Sequence, residues 1–278
     1  MEKRLKTPLR YPGGKSKAIH KLFAEFPDLE NVKDYREPFI GGGSVAIHIS
    51  RLNPDCSVWI NDLYWPLYNF WIHLRDHGDK LSDDLYQMKL TYNTEDAAKG
   101  LFESSKLILN GHNDSDYSKA IAFWVVNKCS FSGLTESSTF SRWASNKNFN
   151  ISGIEALKEY SKHIKNWKIT NLSYEELLND TENDTFIYLD PPYEIKSKLY
   201  GKKGSMHKGF DHDLFAECCN RPTQAKIAIS YNSDQSVKER FPDWNQIEFD
   251  LTYFMRSDRK NYRENQADRK ELLLTNYN

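Results

Sequence analysis

Residues 185–193 read Thr185-Phe186-Ile187-Tyr188-Leu189-Asp190-Pro191-Pro192-Tyr193. The β-branched and aromatic run over 185–190 predicts a strand. Two consecutive prolines cannot donate to a ladder, so the chain must turn there and hold Asp190, the prolyl carbonyls and the Tyr193 ring in a rigid array. The carboxyl end of a strand is also where open α/β sheets keep their ligands. A carboxylate and a carbonyl offer two acceptors for the hydrogens of an exocyclic amine, and an aromatic ring offers a face for a purine.

A second turn lies upstream. Residues 35–39, Tyr35-Arg36-Glu37-Pro38-Phe39, predict a short strand running into Gly41-Gly42-Gly43, and 44–52 predicts a helix with Val45, Ile49 and Leu52 on one face. Residues 57–60 predict another strand, ending at Asn61-Asp62. Gly41, Gly43 and Ala46 fit G-x-G-x-x-A, and Asp62 follows Gly41 by 21 positions, where an acid meets a ribose hydroxyl. Glycines without Cβ let an adenosine-bearing ligand approach the backbone. Dinucleotide oxidoreductases and enzymes using S-adenosylmethionine share this pattern.

The remaining chain sorts into two textures. Residues 14–26 predict a helix. From 65 to 164 the pattern is helical, over 67–76, 81–91, 96–108, 117–128 and 152–164, with a polar, Ser-rich, aromatic loop at 129–150. This reads as an inserted helical subdomain. The α/β pattern then resumes with strands at 168–172, 185–190 and 226–231, helices at 174–179 and 211–220, and a closing antiparallel pair, 246–253 with 271–276. The fold class is α/β: a Rossmann-like mixed, mostly parallel sheet wrapped by helices, with the insertion. The N-terminal Leu9-Arg10-Tyr11-Pro12-Gly13-Gly14-Lys15-Ser16 ends like a phosphate-binding G-x-x-x-x-G-K-S loop. The first glycine of that motif falls at Leu9 and no strand leads into it, which argues against a nucleoside triphosphatase.

The 278 residues carry a net charge of −1, which on its own argues against a polyanionic partner. The arrangement argues otherwise. Segments 1–21, 195–210 and 256–270 carry +6, +5 and +3, so a basic face fits a nearly neutral chain. No run approaches the ~18 apolar residues of a membrane span, and the basic start lacks the apolar stretch of a secretory signal. Cys56, Cys129, Cys218 and Cys219 show no metal or disulfide spacing, so no metal is expected and a soluble protein of a reducing cytoplasm is.

In chain order, Tyr11-Pro12-Gly13-Gly14-Lys15, Glu37-Pro38-Phe39 with its glycines, Asn61-Asp62, the helical insertion, Asp190-Pro191-Pro192-Tyr193 and Glu271-Leu272-Leu273-Leu274-Thr275-Asn276-Tyr277 together resemble the D12-class, Dam-like family of DNA adenine-N6 methyltransferases. The resemblance covers most of the chain. It implies a catalytic domain of the S-adenosylmethionine-dependent type over 1–64 and 165–278, and a target-recognition domain over 65–164 whose DNA-reading hairpin spans 127–137. It assigns Tyr11, Lys15, Asp62 and Asp190 to the S-adenosylmethionine site, beside the motif residues Glu37, Pro38, Phe39, Gly41 and Gly43, with S-adenosylhomocysteine as product. In the hairpin, Phe131 takes the position of an aromatic that inserts into duplex DNA, Ser132 lies beside it and Leu134 matches. Glu136 stands where GATC-reading relatives carry a guanine-reading arginine. A carboxylate suits a cytosine N4 amine, which leaves Lys128 or Arg142 for a guanine contact.

These residues imply a mechanism. Asp190 and the Pro191 carbonyl would hold the hydrogens of adenine N6, with Pro192 fixing the turn and Tyr193 stacking on a base flipped out of the duplex. In-line methyl transfer rests on alignment and electrostatics, with no covalent enzyme intermediate. The loop 194–210, with Lys196, Lys198, Lys202, Lys203 and Lys208, would contact phosphates. Double-stranded DNA is the expected partner, the chain is expected to be a monomer, and a cognate restriction endonuclease would be encoded elsewhere. A dinucleotide-dependent oxidoreductase and a catalytically silent DNA-binding module are the two competing readings; the first leaves the prolyl turn and the basic loops without a role.

Overall fold

The computed structural model describes residues 7–11, 13–111, 113–131, 133, 138–193, 209–250 and 270–278. Its centre is a seven-stranded sheet in the order β3-β2-β1-β4-β5-β7-β6. The strands are β1 (Asp34–Glu37), β2 (Ser57–Asn61), β3 (Lys168–Thr170), β4 (Thr185–Leu189), β5 (Lys226–Asn232), β6 (Asn245–Asp250) and β7 (Lys270–Thr275). All five residues of β4 are buried, as expected for a parallel strand covered on both faces. From β1 the chain steps outward through β2 and β3, then returns to place β4 on the other side of β1, with Asp34 opposite Thr185 and Arg36 opposite Ile187. The carboxyl ends of β1 and β4 therefore flank the switch point where such sheets open a crevice. The pair expected to close the sheet is present: β7 is antiparallel to both β5 and β6. Its reversed direction brings the first residues of β7 beside the carboxyl end of β5, with Glu271 opposite Asn232.

Helices α1 (Ile19–Glu25), α2 (Ser44–Leu52), α8 (His212–Cys219) and α9 (Gln235–Arg240) belong to the α/β part. Between β2 and β3 lie α3 (Trp65–Thr91), α4 (Glu95–Asn110), α5 (Asp116–Cys129), α6 (Arg142–Asn148) and α7 (Ile151–His163). The two helices expected at 67–76 and 81–91 are one helix, α3, kinked at His77 (φ −134°, ψ 26°). Gly78 follows the kink because α7 presses there; a Cβ would lie 2.2 Å from that of Ser161. Helix α6 falls inside the stretch expected to be a loop. Its Ser141 cap accepts from the Ala144 N–H, but Ala144 and Ser145 are the only residues it buries, so it has no apolar period to read. Residues 15–17 and 174–178 form single 3₁₀ turns where longer helices were expected.

One apolar cluster runs from the sheet into the helical block. It joins Val45, Ile60 and Phe186 to Trp71, Phe123, Trp124 and Leu157. Trp71 is the bridging side chain: its ring packs on the glycine turn, and its Nε1 donates to the Gly41 carbonyl at 3.3 Å. Gly43 caps α2 in the left-handed region (φ 74°), and a Cβ there would stand 2.6 Å from two Trp71 ring carbons. Among the described residues no helix is long and apolar enough to cross a membrane.

Gly43→Ala is expected to cost about 2–5 kcal/mol: ~1–2 for the left-handed conformation and ~1–3 for overpacking against Trp71. Urea unfolding of the purified variant measures it, and a loss below ~1 kcal/mol would mean that the turn relaxes freely.

Candidate active site

The crevice at the switch point is built from three remote parts of the chain. After β4, Asp190 leaves the sheet with its side chain 23% exposed, the Pro191 residue is buried, and Tyr193 returns inward. The Tyr193 ring lies 5.9 Å from that of Tyr231 on β5 at an interplanar angle of 28°. The N-terminal motif comes next. The Gly14 N–H donates to the Tyr11 carbonyl at 3.1 Å, Gly13 is left-handed, and the 3₁₀ turn that follows carries Lys15 inward until it is 2% exposed. The Lys15 ammonium donates to Asp190 Oδ1 at 2.7 Å and to the Tyr193 hydroxyl at 2.7 Å, and lies 3.2 Å from Glu271 Oε1. Tyr193 in turn donates to Glu271. Sequence reasoning placed Glu271 in a closing strand and gave it no role at the site.

The glycine turn forms the neighbouring wall. Gly41 and Gly43 are both left-handed, and a Cβ on Gly41 would lie 3.1 Å from the Tyr11 ring, so glycine here lets Tyr11 seat on the turn. Asp62 holds the same turn through its side chain, accepting from the Gly41 N–H at 3.3 Å and the Tyr64 N–H at 3.0 Å. The Asn61 amide donates to the carbonyls of Pro38 and Leu172, fixing Glu37-Pro38-Phe39 against the loop after β3. Phe39 points to the opposite side, its ring 5.6 Å from that of Tyr174. Arg10, Tyr11, Gly14, Gly42 and Ser44 line a cleft of about 290 Å³ beside the motif.

Four carboxyl groups gather round this crevice, and burial raises all of them. Burial pushes Glu37 up to about 8, against the hydrogen bond it accepts from the Tyr35 hydroxyl at 2.6 Å. It pushes Asp62 up to about 6, against its two backbone donors. Asp190 and Glu271 are also raised by burial, with Lys15 the main opposing influence on each. A buried excess of acid over base suits a ligand that carries positive charge.

The structure thus brings Tyr11, Lys15, Glu37, Pro38, Gly41, Gly43, Asp62, Asp190, Pro191, Pro192 and Tyr193 to one end of the sheet. Of the residues expected to read DNA, Lys128, Phe131 and Arg142 are among the described residues. Phe131 is 62% exposed. The expected hairpin start at 127 is corrected: α5 runs on to Cys129, closed by a Ser130 N–H bond to the Val126 carbonyl, and the antiparallel stem is the Ser130–Phe140 bridge. Asn127 is therefore helical and fully buried. Its side chain accepts from the Arg10 N–H at 2.9 Å and donates to the Arg10 and Gly133 carbonyls at 2.7 and 2.8 Å. Lys128 is buried over the Trp124 ring, and burial, then the Arg10 charge, lowers it to about 7. Arg142 is exposed and paired with Glu95. Pro12, Ser132, Leu134, Glu136, Lys202 and Lys203, the rest of the loop from 194 to 208, and residues 256–269 of the third basic segment lie outside the described residues.

Known proteins similar to this chain are DNA methyltransferases. Over 244 residues the chain is 25% identical to type II methyltransferase M.MjaIII of Methanocaldococcus jannaschii, covering 81% of this chain and 84% of that protein. Over 283 residues it is 22% identical to type II methyltransferase M1.LlaDCHI of Lactococcus lactis subsp. cremoris, covering 96% and 94%. A DNA adenine methylase of Vibrio cholerae is 22% identical over 221 residues, covering 74% and 71%. The D12 class N6 adenine-specific DNA methyltransferase profile matches residues 11–255, which contain every motif of the crevice except Glu271, and the chain belongs to that family.

Proposed function

We propose that this adenine-specific DNA methyltransferase acts on an adenine flipped out of duplex DNA, with S-adenosylmethionine as methyl donor and the Asp190–Tyr193 turn as the reacting centre. The observation that carries this reading is the placement of Asp190, Lys15 and Tyr193 at the switch point, within hydrogen-bond reach of one another. When bound, S-adenosylmethionine supplies an electrophilic methyl group and a positive charge. The raised carboxyl groups of Glu37, Asp62, Asp190 and Glu271 suit that charge, and the glycine turn with the Tyr11 ring suits an adenosine moiety.

The chain's own residues then have defined work. The lone pair of adenine N6 is delocalised into the ring, so the amine is a poor nucleophile until its hydrogens are held. Asp190 accepts one hydrogen and the Pro191 carbonyl the other, favouring a pyramidal nitrogen whose lone pair points at the methyl carbon. Asp190 also takes the proton lost from N6 as the N–C bond forms. Tyr193 presents a ring face to the extruded base, offsetting part of an unstacking cost of a few kcal/mol. The block over 65–164 would read the target, the exposed Phe131 would enter the duplex, and Lys202 and Lys203 would contact phosphates. The chain would act as a monomer, and a separately encoded restriction endonuclease would be its counterpart, a reading to which relatives named type II methyltransferases lend support.

Asp190→Ala should lower the single-turnover rate of methyl transfer by at least about 100-fold, the scale for one positioned polar group, with a smaller change in S-adenosylmethionine affinity. Near-normal turnover would remove Asp190 from the mechanism. Alanine at both Lys202 and Lys203 should weaken DNA binding and flatten the log K against log [salt] slope by about 1–2; an unchanged slope removes the phosphate role.

A third expectation concerns pH. A Glu37 value of about 8 lies above the ~4.3 of an unfolded glutamate, so the folded state holds this proton more tightly. Its contribution to stability is fully present below pH ~4.3 and is lost as pH rises through about 8. Between pH ~6 and ~7, above the Asp62 value of about 6 and below the Lys128 value of about 7, the melting temperature of the free protein should fall, and Glu37→Gln should flatten that fall. Thermal unfolding across pH decides; an identical slope in the variant would show that Glu37 is not the titrating group.

A further inference from the structure

Glu271 sits where a structural acid has no reason to be. It opens an antiparallel strand at the sheet's ligand end, is 2% exposed, and faces a lysine that already has a carboxylate partner. The four side chains form a closed ring of contacts. Lys15 donates to Asp190 and to the Tyr193 hydroxyl, Tyr193 donates to Glu271, and Glu271 stands 3.2 Å from Lys15. The Tyr193 hydroxyl accepts from Lys15 and donates to Glu271, with Asp190 also within its reach, and this tether together with the Tyr231 ring fixes the plane of Tyr193. Lys15 meanwhile divides its charge between two carboxylates, so Asp190 is not neutralised as a hydrogen-bond acceptor.

We infer that Glu271 is a positioning residue for methyl transfer: through Tyr193 it sets the stacking face offered to the target base, and through Lys15 it preserves the acceptor strength of Asp190. The inference rests on the functional reading given above. The charged and titratable groups facing this ring are Lys15 on the 3₁₀ turn, Glu37 at the end of β1, Tyr188 on β4, and Asp190 and Tyr193 on the turn after it. His212 on α8 and Tyr231 on β5 bond to each other behind the Tyr193 ring. Removing the Glu271 charge leaves Lys15 acting on Asp190 alone and takes away a repelling neighbour. Both changes favour the ionised Asp190, so both move its titration to lower pH.

The test is single-turnover transfer of labelled methyl from S-adenosylmethionine to plasmid DNA grown in a host without adenine methylation, measured across pH for wild type, Glu271→Gln, Tyr193→Phe and the double variant. Glu271→Gln should slow transfer about tenfold or more, leave the concentration of S-adenosylmethionine for half-saturation within about threefold, and move the acidic limb of the rate profile to lower pH. The double variant should be little worse than the slower single one, since both break the same tether. A wild-type rate in Glu271→Gln, an acidic limb that stays in place, or fully additive losses would each overturn the inference. If Glu271→Gln does not fold, Tyr193→Phe decides, because it cuts the tether and leaves both carboxylates: an unslowed rate then overturns the inference. A wild-type protein that transfers no label to adenine would instead sink the functional reading itself.

Discussion

The Lys15 ammonium is the point on which the arrangement depends. A buried cation is tolerated only when paired and hydrogen-bonded, and removing a partner from such a pair is strongly destabilising. The partners of Lys15 come from segments 175 residues away and further, at the turn after β4 and at the start of β7. Seating this one side chain therefore requires the N-terminal motif, the central strand and the closing strand to be in register together. The reversed direction of β7 follows from the same need, because a parallel strand in that place would present its far end to the crevice. The interaction that closes the fold also lies at the proposed reacting centre, so variants at Lys15 are expected to affect stability and turnover together.

The helical block is tied to the same point from the other side. Trp71 on α3 packs on the glycine turn, and Asn127 at the end of α5 grips both backbone polar groups of Arg10, one residue before Tyr11. The Arg10 guanidinium donates to the Ser130 carbonyl at 2.7 Å, at the base of the Ser130–Phe140 stem. Gly133 approaches Arg10 so closely that a Cβ would lie 2.4 Å from its carbonyl oxygen. A displacement of the stem would therefore press on the segment that seats Tyr11 and delivers Lys15. Among the described residues, the apolar cluster of the block over 65–164 is continuous with that of the sheet.

What could be read from residues alone follows a physical line. Strand β4 and its prolyl turn were legible because full burial makes a continuous apolar run and proline forbids its continuation. The glycine turn was legible because left-handed geometry at Gly41 and Gly43 leaves few other residues admissible. Glu271 was not, since its importance lies in the strand order and in a cross-sheet neighbour that no local pattern encodes. Asn127 was hidden for a related reason: a buried amide bonding to backbone 117 residues away looks, in sequence, like any polar residue near a helix end. Helix α6 buries almost nothing, and the unbroken α3 spans a Gly78 that serves α7 packing rather than termination.

The charge balance takes on a different meaning once the side chains are placed. The formal −1 counts Glu37, Asp62, Asp190 and Glu271 as full negative charges, yet all four are raised by burial, and Glu37, at about 8, holds its proton at neutral pH in the free protein. Lys128, lowered to about 7, offsets part of this in the other direction. Lys15, counted in the first basic segment, is spent inside the crevice and offers nothing to a phosphate. Part of the acidity of the chain thus lies in the crevice, where the proposed methyl donor would bring a positive charge. In the proposed reaction, the crevice carboxyl groups that ionise beside the donor would favour its sulfonium form over the neutral thioether left after transfer, so the charges that help seat the donor would also favour departure of the product.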